Sequence, residues 1–296
     1  MLALNWACAM RDRYQIVLGE HRCKVQLVGA TSILVNMHNV DNLFDQIRKL
    51  KPDIIIHTAG LTNVEFCEVN PDLAHQINVQ ISGNIAEVAS QLNSPLVHIS
   101  TDHLFAGIHQ NETEDANACP LNVYGLSKLN AEKIVLDLNQ STLIFRTNFY
   151  GWGSSRKQSF SDWIIYQLRA GKKINLFNDV FYTPILISNF VSAAHQLIDK
   201  SASGIYNLVG SERLSKYDFA VSVAQVFDLP EDLLVQSSIA DAKHLVKRPR
   251  DMSLSNSKIV REFGVNFPNT LASLYELRNQ EKTGLSHEIF HSIQLS

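Results

Sequence analysis

Apolar runs alternate with amphipathic segments along the first half of the chain. Four runs are short and almost continuously apolar, whereas the segments between them carry apolar residues at helical spacing. Strands without polar alternation are buried on both faces, so we expect a parallel sheet that helices cover on both sides. The predicted elements are, in chain order, a strand at 14–18, a helix at 40–50, a strand at 53–56, a helix at 71–92, a strand at 96–99, a helix at 123–138 and a strand at 141–145.

The second half of the chain combines further helices with one clear strand. Helices are predicted at 159–170, 187–198 and 216–227, and a strand at 204–209. No internal repeat or low-complexity linker separates the two halves. We therefore predict a doubly wound α/β region at 1–150 and a smaller lobe at 151–296, with the segment 185–200 packing back on the first region. The polar tail after Lys282 is expected to be frayed.

Composition and charge narrow the classes of protein. The chain has 296 residues, 45% of them apolar and 19% charged, which is typical of a globular protein with a large core. The net charge of −3 gives no sign of a nucleic-acid or anionic-membrane partner. The sequence contains no run of about 18 apolar residues, so we expect no transmembrane helix. The four cysteines form no CxxC pair, so we expect no metal or redox site and a reducing, cytoplasmic setting.

Tyr124 and Lys128 carry the first candidate chemistry. They stand four residues apart at the start of the predicted helix at 123–138, which places both side chains on one face. A tyrosine is a poor acid–base catalyst at neutral pH, but a nearby ammonium stabilises the phenolate and lowers the tyrosine pKa. The pair would then suit proton donation to a carbonyl that is being reduced. The alternative is an amphipathic helix with two solvated polar side chains.

Polar side chains also follow the predicted strand at 96–99. Thr101 and Asp102 come soon after it, and ligands of an open parallel sheet bind at the carboxyl ends of its strands. Thr101 therefore offers a hydroxyl where a substrate is expected. A turn or helix cap is the alternative for such a sequence, but the combination with Tyr124 and Lys128 favours catalysis.

Five longer segments, in this order along the chain, add to the evidence from these single motifs. They are PDIIIHTAGLTNVEFCE (52–68), HISTDHLFAG (98–107), TEDANACPLNVYGLSKLNAEK (113–133), FRTNFYGWG (145–153) and RPRDMSLSNSK (248–258). Together they resemble the extended short-chain dehydrogenases, and most of all the dTDP-4-dehydrorhamnose reductase family. The resemblance implies a Rossmann-type α/β fold with a smaller C-terminal substrate lobe. It is less specific for substrate, because similar proteins include other nucleotide-sugar reductases and a non-catalytic regulatory subunit of methionine adenosyltransferase.

The resemblance implies a role for each member of the candidate triad. Tyr124 would protonate the C4 oxygen of a 4-keto-6-deoxyhexose nucleotide while NADPH or NADH delivers a hydride to C4. Lys128 would bind the nicotinamide ribose and tune Tyr124. Thr101 would hydrogen-bond the keto oxygen, with Asp102 beside the substrate.

Other residues are implied to line the cofactor and the substrate. Ala59 and Gly60 would pass close to the cofactor, because small residues permit that approach. Asn148 would lie near the nicotinamide or the sugar. Arg250 would lie near the nucleotide, with a solvated surface arginine as the alternative. Trp152 would pack on the sugar or the base, and packing within the lobe is its alternative.

The beginning of the chain departs from the family pattern. A dinucleotide-binding sheet of this type opens with a strand and a glycine-rich loop, which lets the backbone approach the pyrophosphate. The chain instead begins MLALNWACAMRDRY, which resembles the helix that follows that loop. We therefore expect the first strand and most of the phosphate contacts to be absent. A natural protein that is longer at this end is the favoured explanation, and a relative that no longer binds cofactor normally is the alternative.

Further positions bear on the cofactor and on the site. Arg22 could bind a 2′-phosphate, which favours NADP, whereas Glu20 could favour NAD, and we place NADP slightly ahead. The segment 36–39 lacks the aspartate-containing turn expected near the adenine. His103 replaces a tyrosine of the family pattern and is interpreted as a packing or hydrogen-bonding side chain beside the site.

The sequence predicts an NAD(P)H-dependent nucleotide-sugar 4-ketoreductase. The leading substrate is dTDP-4-dehydrorhamnose, in the synthesis of dTDP-L-rhamnose for surface polysaccharide. Two alternatives stay open: a non-catalytic Rossmann-like regulatory or binding subunit, and a nucleotide-sugar epimerase or dehydratase, which shares the Tyr124 and Lys128 pair. Neither the sugar nor the oligomeric state follows from the sequence, and a homodimer is one candidate assembly.

Overall fold

The computed structural model of the chain describes residues 1–20 and 23–294. The first half contains α1 (Leu2–Met10), β1 (Ile16–Glu20), β2 (Lys24–Val25), β3 (Ala30–Leu34), α2 (Val40–Leu50), β4 (Ile55–His57), α3 (Val64–Val69), α4 (Pro71–His75), α5 (Ile81–Gln91), β5 (Leu96–Ile99), α6 (Val123–Leu138) and β6 (Leu143–Arg146). The second half contains β7 (Phe149–Tyr150), α7 (Phe160–Arg169), β8 (Ile174–Phe177), β9 (Phe181–Tyr182), β10 (Ile185–Leu186), α8 (Ile187–Ile198), β11 (Gly204–Asn207), β12 (Leu214–Ser215), α9 (Lys216–Val226), β13 (Leu234–Ser237), α10 (Ser257–Phe263), α11 (Thr270–Lys282), α12 (Leu285–His291) and β14 (Ile293–Gln294). A π-helical turn at Gln76–Gln80 joins α4 to α5. None of the described helices is both long and apolar enough to cross a bilayer.

Four parallel strands form the central sheet, in the order β4, β5, β6 and β11. The two middle strands, β5 and β6, are buried at all four of their positions, because helices cover both faces. β5 pairs with β4 through His98 and His57, and with β6 through Ile99 and Phe145. The predicted α/β fold with a doubly wound parallel sheet is confirmed. Its carboxyl edge brings the ends of β4, β5 and β6 together.

Helices pack on both faces of this sheet. On one face, α2 and α6 bring Leu43 and Val135 into a core with the strands. On the other face, α1 and α8 bring Leu2 and Phe190 against Phe145 of β6. The apolar stripes that predicted these helices are the surfaces that meet the sheet.

The C-terminal lobe is built around a second core. α7, α9 and α11 enclose it together with the parallel pair β8 and β13, and Ile164 and Phe219 are among its buried side chains. Leu4 of α1 also belongs to this core, whereas α8 packs on the central sheet. Contacts therefore cross residue 150 in both directions, and the division into 1–150 and 151–296 stays a prediction.

The described part of the tail, up to residue 294, folds into a helix and a short strand, so the prediction of a frayed tail after Lys282 was wrong for this part. α12 buries Ile289 completely, and Glu288 of the same helix forms an ion pair with Arg11 next to α1. β14 then pairs antiparallel with β2. The partners of this segment are far away in the chain, and sequence periodicity does not report such partners.

The pair of β1 and β3 is separate from the central sheet. Within the described residues, no strand pairs with the outer edge of β4 or with the second edge of β1. Both edges carry backbone N–H and C=O groups that a further strand could pair with. Among the described strands, the central sheet therefore ends at β4.

Trp6 ties α1 to α8. Its indole Nε1 donates a hydrogen bond of 2.9 Å to His195 Nε2, and both side chains are buried. Burial lowers the pKa of His195, and the nearby Arg13 charge acts in the same direction. The folded chain therefore keeps this imidazole neutral, as an acceptor for the indole.

Acid should weaken this contact. The folded state resists protonation of His195, whereas the unfolded chain takes up a proton near the ordinary histidine pKa of about 6.5, so stability falls as the pH drops below that value. We expect this group to lower the free energy of unfolding by at most about 1.4 kcal/mol per pH unit. Denaturant unfolding of the wild type and of His195→Gln at neutral and acid pH measures the effect. The variant keeps the other buried histidines. If the free energy of unfolding fell equally in both proteins between neutral and acid pH, His195 would not be the cause of the decrease.

Candidate active site

The turn after β5 brings three of the predicted residues together. Thr101 and Asp102 are buried, and the Thr101 hydroxyl donates a hydrogen bond of 3.2 Å to Asp102 Oδ1. Asn148, which follows β6, donates from Nδ2 to the other carboxylate oxygen of Asp102 at 2.5 Å. The His103 amide donates to the Thr101 hydroxyl at 3.3 Å. These bonds fix the threonine hydroxyl at the carboxyl edge of the sheet.

The start of α6 is held tightly, and this fixes the position of Tyr124. Asn122 caps the helix: its Oδ1 accepts a bond of 2.9 Å from the Gly125 amide, and its Nδ2 donates to the Lys247 carbonyl at 3.0 Å. Gly125 lies so close to the turn after β5 that a Cβ there would be 2.4 Å from the His103 carbonyl oxygen. The His103 ring meets the Tyr124 ring edge to face, with 5.4 Å between centroids.

Tyr124 is a buried phenol that keeps its proton at neutral pH. Burial raises its pKa well above the ordinary value, and a hydrogen bond with Thr101 acts in the opposite direction. The expectation that Lys128 lowers the tyrosine pKa is therefore corrected: in this structure the opposing effect comes from Thr101. A phenol in this state is a proton donor and not a base.

Lys128 lies one turn further along α6, with its amino group in the protein interior. Nζ donates a bond of 2.7 Å to the Ile99 carbonyl and lies 3.4 Å from His98 Nε2. Burial lowers the pKa of Lys128 to about 8, and Glu132 acts in the opposite direction. With two N–H groups directed at these acceptors, the ammonium has a third for a ligand.

The loop after β4 offers open main chain at the same edge of the sheet. Ala59 and Gly60 are exposed, and the following amide, of Leu61, donates to Asn78 Oδ1 at 2.7 Å. Asn78 Nδ2 in turn donates to the Leu61 carbonyl at 3.0 Å and to Ser127 Oγ at 2.9 Å. Asn78 therefore ties this loop to the helix that carries the tyrosine and the lysine.

Sequence reasoning missed Asn78. The residue is buried in the π-helical turn at Gln76–Gln80, and such turns are rare and often mark functional sites. A polar residue within the apolar stripe of the predicted helix at 71–92 is the one signal that could have found it. Apolar periodicity alone does not distinguish a π turn from a regular helix.

These residues fit the nicotinamide half of a dinucleotide cofactor. The exposed Ala59 and Gly60 let a flat ring or a ribose approach the main chain, and Lys128 keeps one N–H for a ribose hydroxyl. For the pyrophosphate, the described part of the chain offers no glycine-rich loop. Arg22, the candidate for a 2′-phosphate, lies outside the described residues. Glu20 has its carboxylate engaged by Val25, whose amide donates to it at 2.6 Å.

Trp152 does not line the site. Its indole is buried in the core of the lobe, where Nε1 donates to the Leu277 carbonyl at 3.1 Å and the ring meets Phe227 at 6.1 Å. The expectation that Trp152 packs on the sugar or the base is therefore corrected, and packing within the lobe is what the structure shows. Aromatic side chains fill cores as readily as ligand pockets, so residue type could not separate the two.

A basic cavity of about 380 Å³ lies between the turn after β5 and the segment 239–250. Val246 lines this cavity and packs in one hydrophobic cluster with the tyrosine. The basic side chains that line it are Lys243, Lys247, Arg248 and Arg250. Arg248 forms an ion pair with Glu65, whereas the other three form no ion pair in the part of the chain that the structure describes. The exposed Arg250 is thus one of three cations available to an anionic ligand.

Comparisons with known proteins identify the family of the chain. The family model described as the RmlD substrate binding domain matches residues 18–282. The beta subunit of methionine adenosyltransferase 2 from Rattus norvegicus is 30% identical over 233 residues, which are 76% of this chain and 69% of that protein. The dTDP-4-dehydrorhamnose reductase of Aggregatibacter actinomycetemcomitans is 28% identical over 263 residues, which are 82% of this chain and 86% of that protein.

A solved structure has the same fold. The dTDP-4-dehydrorhamnose reductase from Bacillus anthracis, in complex with NADP, superposes with a TM-score of 0.80 at 22% identity, covering 90% of this chain and 99% of that chain. The family match contains every residue of the site described above, from Ala59 to Arg250. Because that match spans most of the sequence, the chain belongs to the RmlD substrate binding domain family.

Proposed function

We propose that this protein reduces the 4-keto group of a nucleotide-activated 6-deoxyhexose, with NADPH as hydride donor and dTDP-4-dehydrorhamnose as substrate. The observation that carries the proposal is the set of contacts around Thr101, Tyr124 and Lys128. A buried phenol beside a fixed threonine hydroxyl, one turn from a lysine, has the arrangement to protonate a carbonyl oxygen. The relative from Aggregatibacter, which is named for this reaction, supports the choice of substrate.

Each residue has a separate task in the reaction. The keto oxygen binds against the Thr101 and Tyr124 hydroxyls, and Thr101 turns its proton to this oxygen from its long 3.2 Å bond with Asp102. NADPH, when bound, supplies the hydride for the carbonyl carbon. The raised pKa of Tyr124 keeps the phenolic proton in place until negative charge develops on the substrate oxygen, which then accepts it. Lys128 orients the nicotinamide ribose through its third N–H.

The basic cavity suits the diphosphate of a nucleotide sugar. Its volume of about 380 Å³ lies in the range of small-molecule sites. Val246 connects it to Tyr124, so a sugar at the tyrosine can continue into a diphosphate in the cavity. Lys243, Lys247 and Arg250 would bind the phosphate oxygens through charge-assisted hydrogen bonds.

NADPH is proposed ahead of NADH because of the end of β1. A free carboxylate at this place would bind the ribose hydroxyls of NAD. Glu20 instead accepts a hydrogen bond of 2.6 Å from the Val25 amide. The neighbouring Arg22 would supply a positive charge for the 2′-phosphate of NADPH.

Incubation with NADPH and dTDP-4-dehydrorhamnose tests the proposal. We expect the absorbance of the reduced nicotinamide to fall as dTDP-L-rhamnose forms in equal amount, with NADPH consumed faster than NADH. A GDP-linked 4-keto sugar is the matched control for the nucleotide. NADPH that stays reduced with every nucleotide sugar, in the presence of correctly folded protein, would refute the proposal.

A non-catalytic regulatory subunit is the second candidate. The similarity to the beta subunit of methionine adenosyltransferase 2 favours it. Isothermal titration calorimetry with NADPH separates the two functions, because a reductase must bind the cofactor and a regulatory subunit need not. Purified protein that carries tightly bound NAD⁺ and consumes no external reductant would instead indicate an epimerase or dehydratase.

A further inference from the structure

His98 lies in β5, behind the amino group of Lys128. Its side chain is completely buried, and its Nε2 lies 3.4 Å from Lys128 Nζ. The same ammonium donates a bond of 2.7 Å to the carbonyl of Ile99, the next residue of the strand. Two consecutive residues of one strand therefore offer acceptors to the active-site lysine.

The imidazole of His98 is neutral in this position. Its other nitrogen, Nδ1, is buried and has no hydrogen-bond partner among the described residues. A protonated ring would direct one N–H at the Lys128 ammonium and leave the other N–H unpaired in the core. Burial, the Lys128 charge and His57 accordingly lower the pKa of His98 well below its ordinary value. Nε2 therefore faces the lysine as an acceptor.

Two other ionisable groups near Lys128 are engaged elsewhere. Glu132, one turn further along α6, accepts bonds of 2.8 and 3.0 Å from Arg146. His57 is the register partner of the histidine in β5, but its Nε2 lies 3.0 Å from Ser82 Oγ and makes no hydrogen bond to the lysine in the described structure. His57 is thus a buried histidine on the neighbouring strand with a different partner.

We propose that His98 is the positioning residue of the active-site lysine. Its neutral Nε2 accepts one N–H of the Lys128 ammonium and the Ile99 carbonyl accepts another, so the third is directed to the ligand side of α6, where Tyr124 lies. The identification of this ligand as a nicotinamide ribose rests on the proposed function. The buried Nδ1 of His98 has no hydrogen-bond partner among the described residues, which is unfavourable. An apolar side chain would avoid this cost, so the contact of Nε2 with the lysine is the reason we give for a histidine at this position.

Titration of Lys128 in the cofactor-free protein tests this positioning without any turnover. Carbon-13 labelling at the lysine ε-carbon reports the charge of each amino group by NMR, and the signal of Lys128 is the one that disappears in Lys128→Arg. In the wild type it should titrate below the ordinary lysine range. In His98→Leu the ammonium loses an acceptor, so its midpoint should fall by about one further pH unit or more.

Matched variants separate the contact from a general effect on the core. Gln at position 98 can place Oε1 near the site of Nε2 and should restore the wild-type midpoint, whereas the shorter Asn at the same position should not. His57→Asn removes a buried histidine that does not bond to the lysine and should leave the midpoint unchanged. Equal Lys128 midpoints in the wild type, His98→Gln and His98→Asn would overturn the proposal, even if His98→Leu does not fold.

Kinetics supply the second readout. Loss of His98 should raise the KM for NADPH by about tenfold and leave the KM for the sugar nucleotide within about twofold, because only the cofactor contacts the lysine. An equal rise in both KM values would indicate general damage and contradict a positioning role. If the wild type consumes no NADPH, the proposed function fails, while the NMR titration still tests the role of His98.

Discussion

Replacing Tyr124 by phenylalanine is expected to lower kcat for the reduction by about 10²–10⁴-fold, the usual contribution of a positioned proton donor. The hydroxyl is the only group lost, and the phenol ring packs in a cluster that phenylalanine can fill equally well. The fold and the affinity for NADPH should therefore change little. Steady-state kinetics with circular dichroism and NADPH titration measure the three quantities.

Tyr206→Phe is the matched control for this variant. The Tyr206 hydroxyl donates a hydrogen bond of 3.0 Å to Glu262 at the side of β11, away from the turn that holds Thr101. Its removal should leave kcat unchanged. If Tyr124→Phe kept kcat within tenfold of the wild type, the proton would have to come from another group, and the assigned role would be wrong.

Gly125→Ala is expected to disable the site by moving the tyrosine. A Cβ at this position would lie 2.4 Å from the His103 carbonyl oxygen and 3.0 Å from Pro120 Cβ, so backbone must shift. Either the first turn of α6 or the turn after β5 would be displaced, and misplacement by about 1 Å can cost about 100-fold in rate. Overpacking should also cost about 1–3 kcal/mol of stability. Kinetics and denaturant unfolding check both effects.

Gly83→Ala is the control for a glycine inside a helix. A Cβ there would meet Ile134 Cδ1 at 3.0 Å, which is the end of a flexible side chain that can turn away. Alanine also favours a helix over glycine by about 1 kcal/mol, so stability should be unchanged or slightly higher. Wild-type kcat/KM in Gly125→Ala would contradict the close approach of α6 to the turn after β5.

The elements with the clearest spacing were predicted to the residue. α2, α6, α8 and β5 begin and end where the apolar pattern places them. In α2 and α6, Asn39 and Asn122 cap the first turn, so the boundaries are local features of the sequence. β3 was not predicted, because its ATSIL sequence is half exposed and contains no continuous apolar run. α12 was not predicted either, since distant contacts stabilise it.

The site also combines features that the local sequence determines with contacts between distant segments. Thr101, Tyr124 and Lys128 follow from a strand end and a four-residue spacing, both of which are local. Helical spacing shows which side chains share a face, but not which acceptor a long lysine side chain reaches. The contacts of Lys128 with β5, and those of Asn78 with the loop after β4, join segments that are far apart in the chain. Only the folded structure shows them.

Transfer of deuterium from NADPH that carries deuterium at both C4 positions of the nicotinamide tests the proposed reduction most directly. With dTDP-4-dehydrorhamnose and the wild-type protein, the dTDP-L-rhamnose formed should carry one deuterium at C4 of the sugar, as located by NMR and mass spectrometry. The Tyr124→Phe variant should form the same labelled product far more slowly. Product without the label, or no product from protein that binds both NADPH and the sugar nucleotide, would contradict hydride transfer at this site.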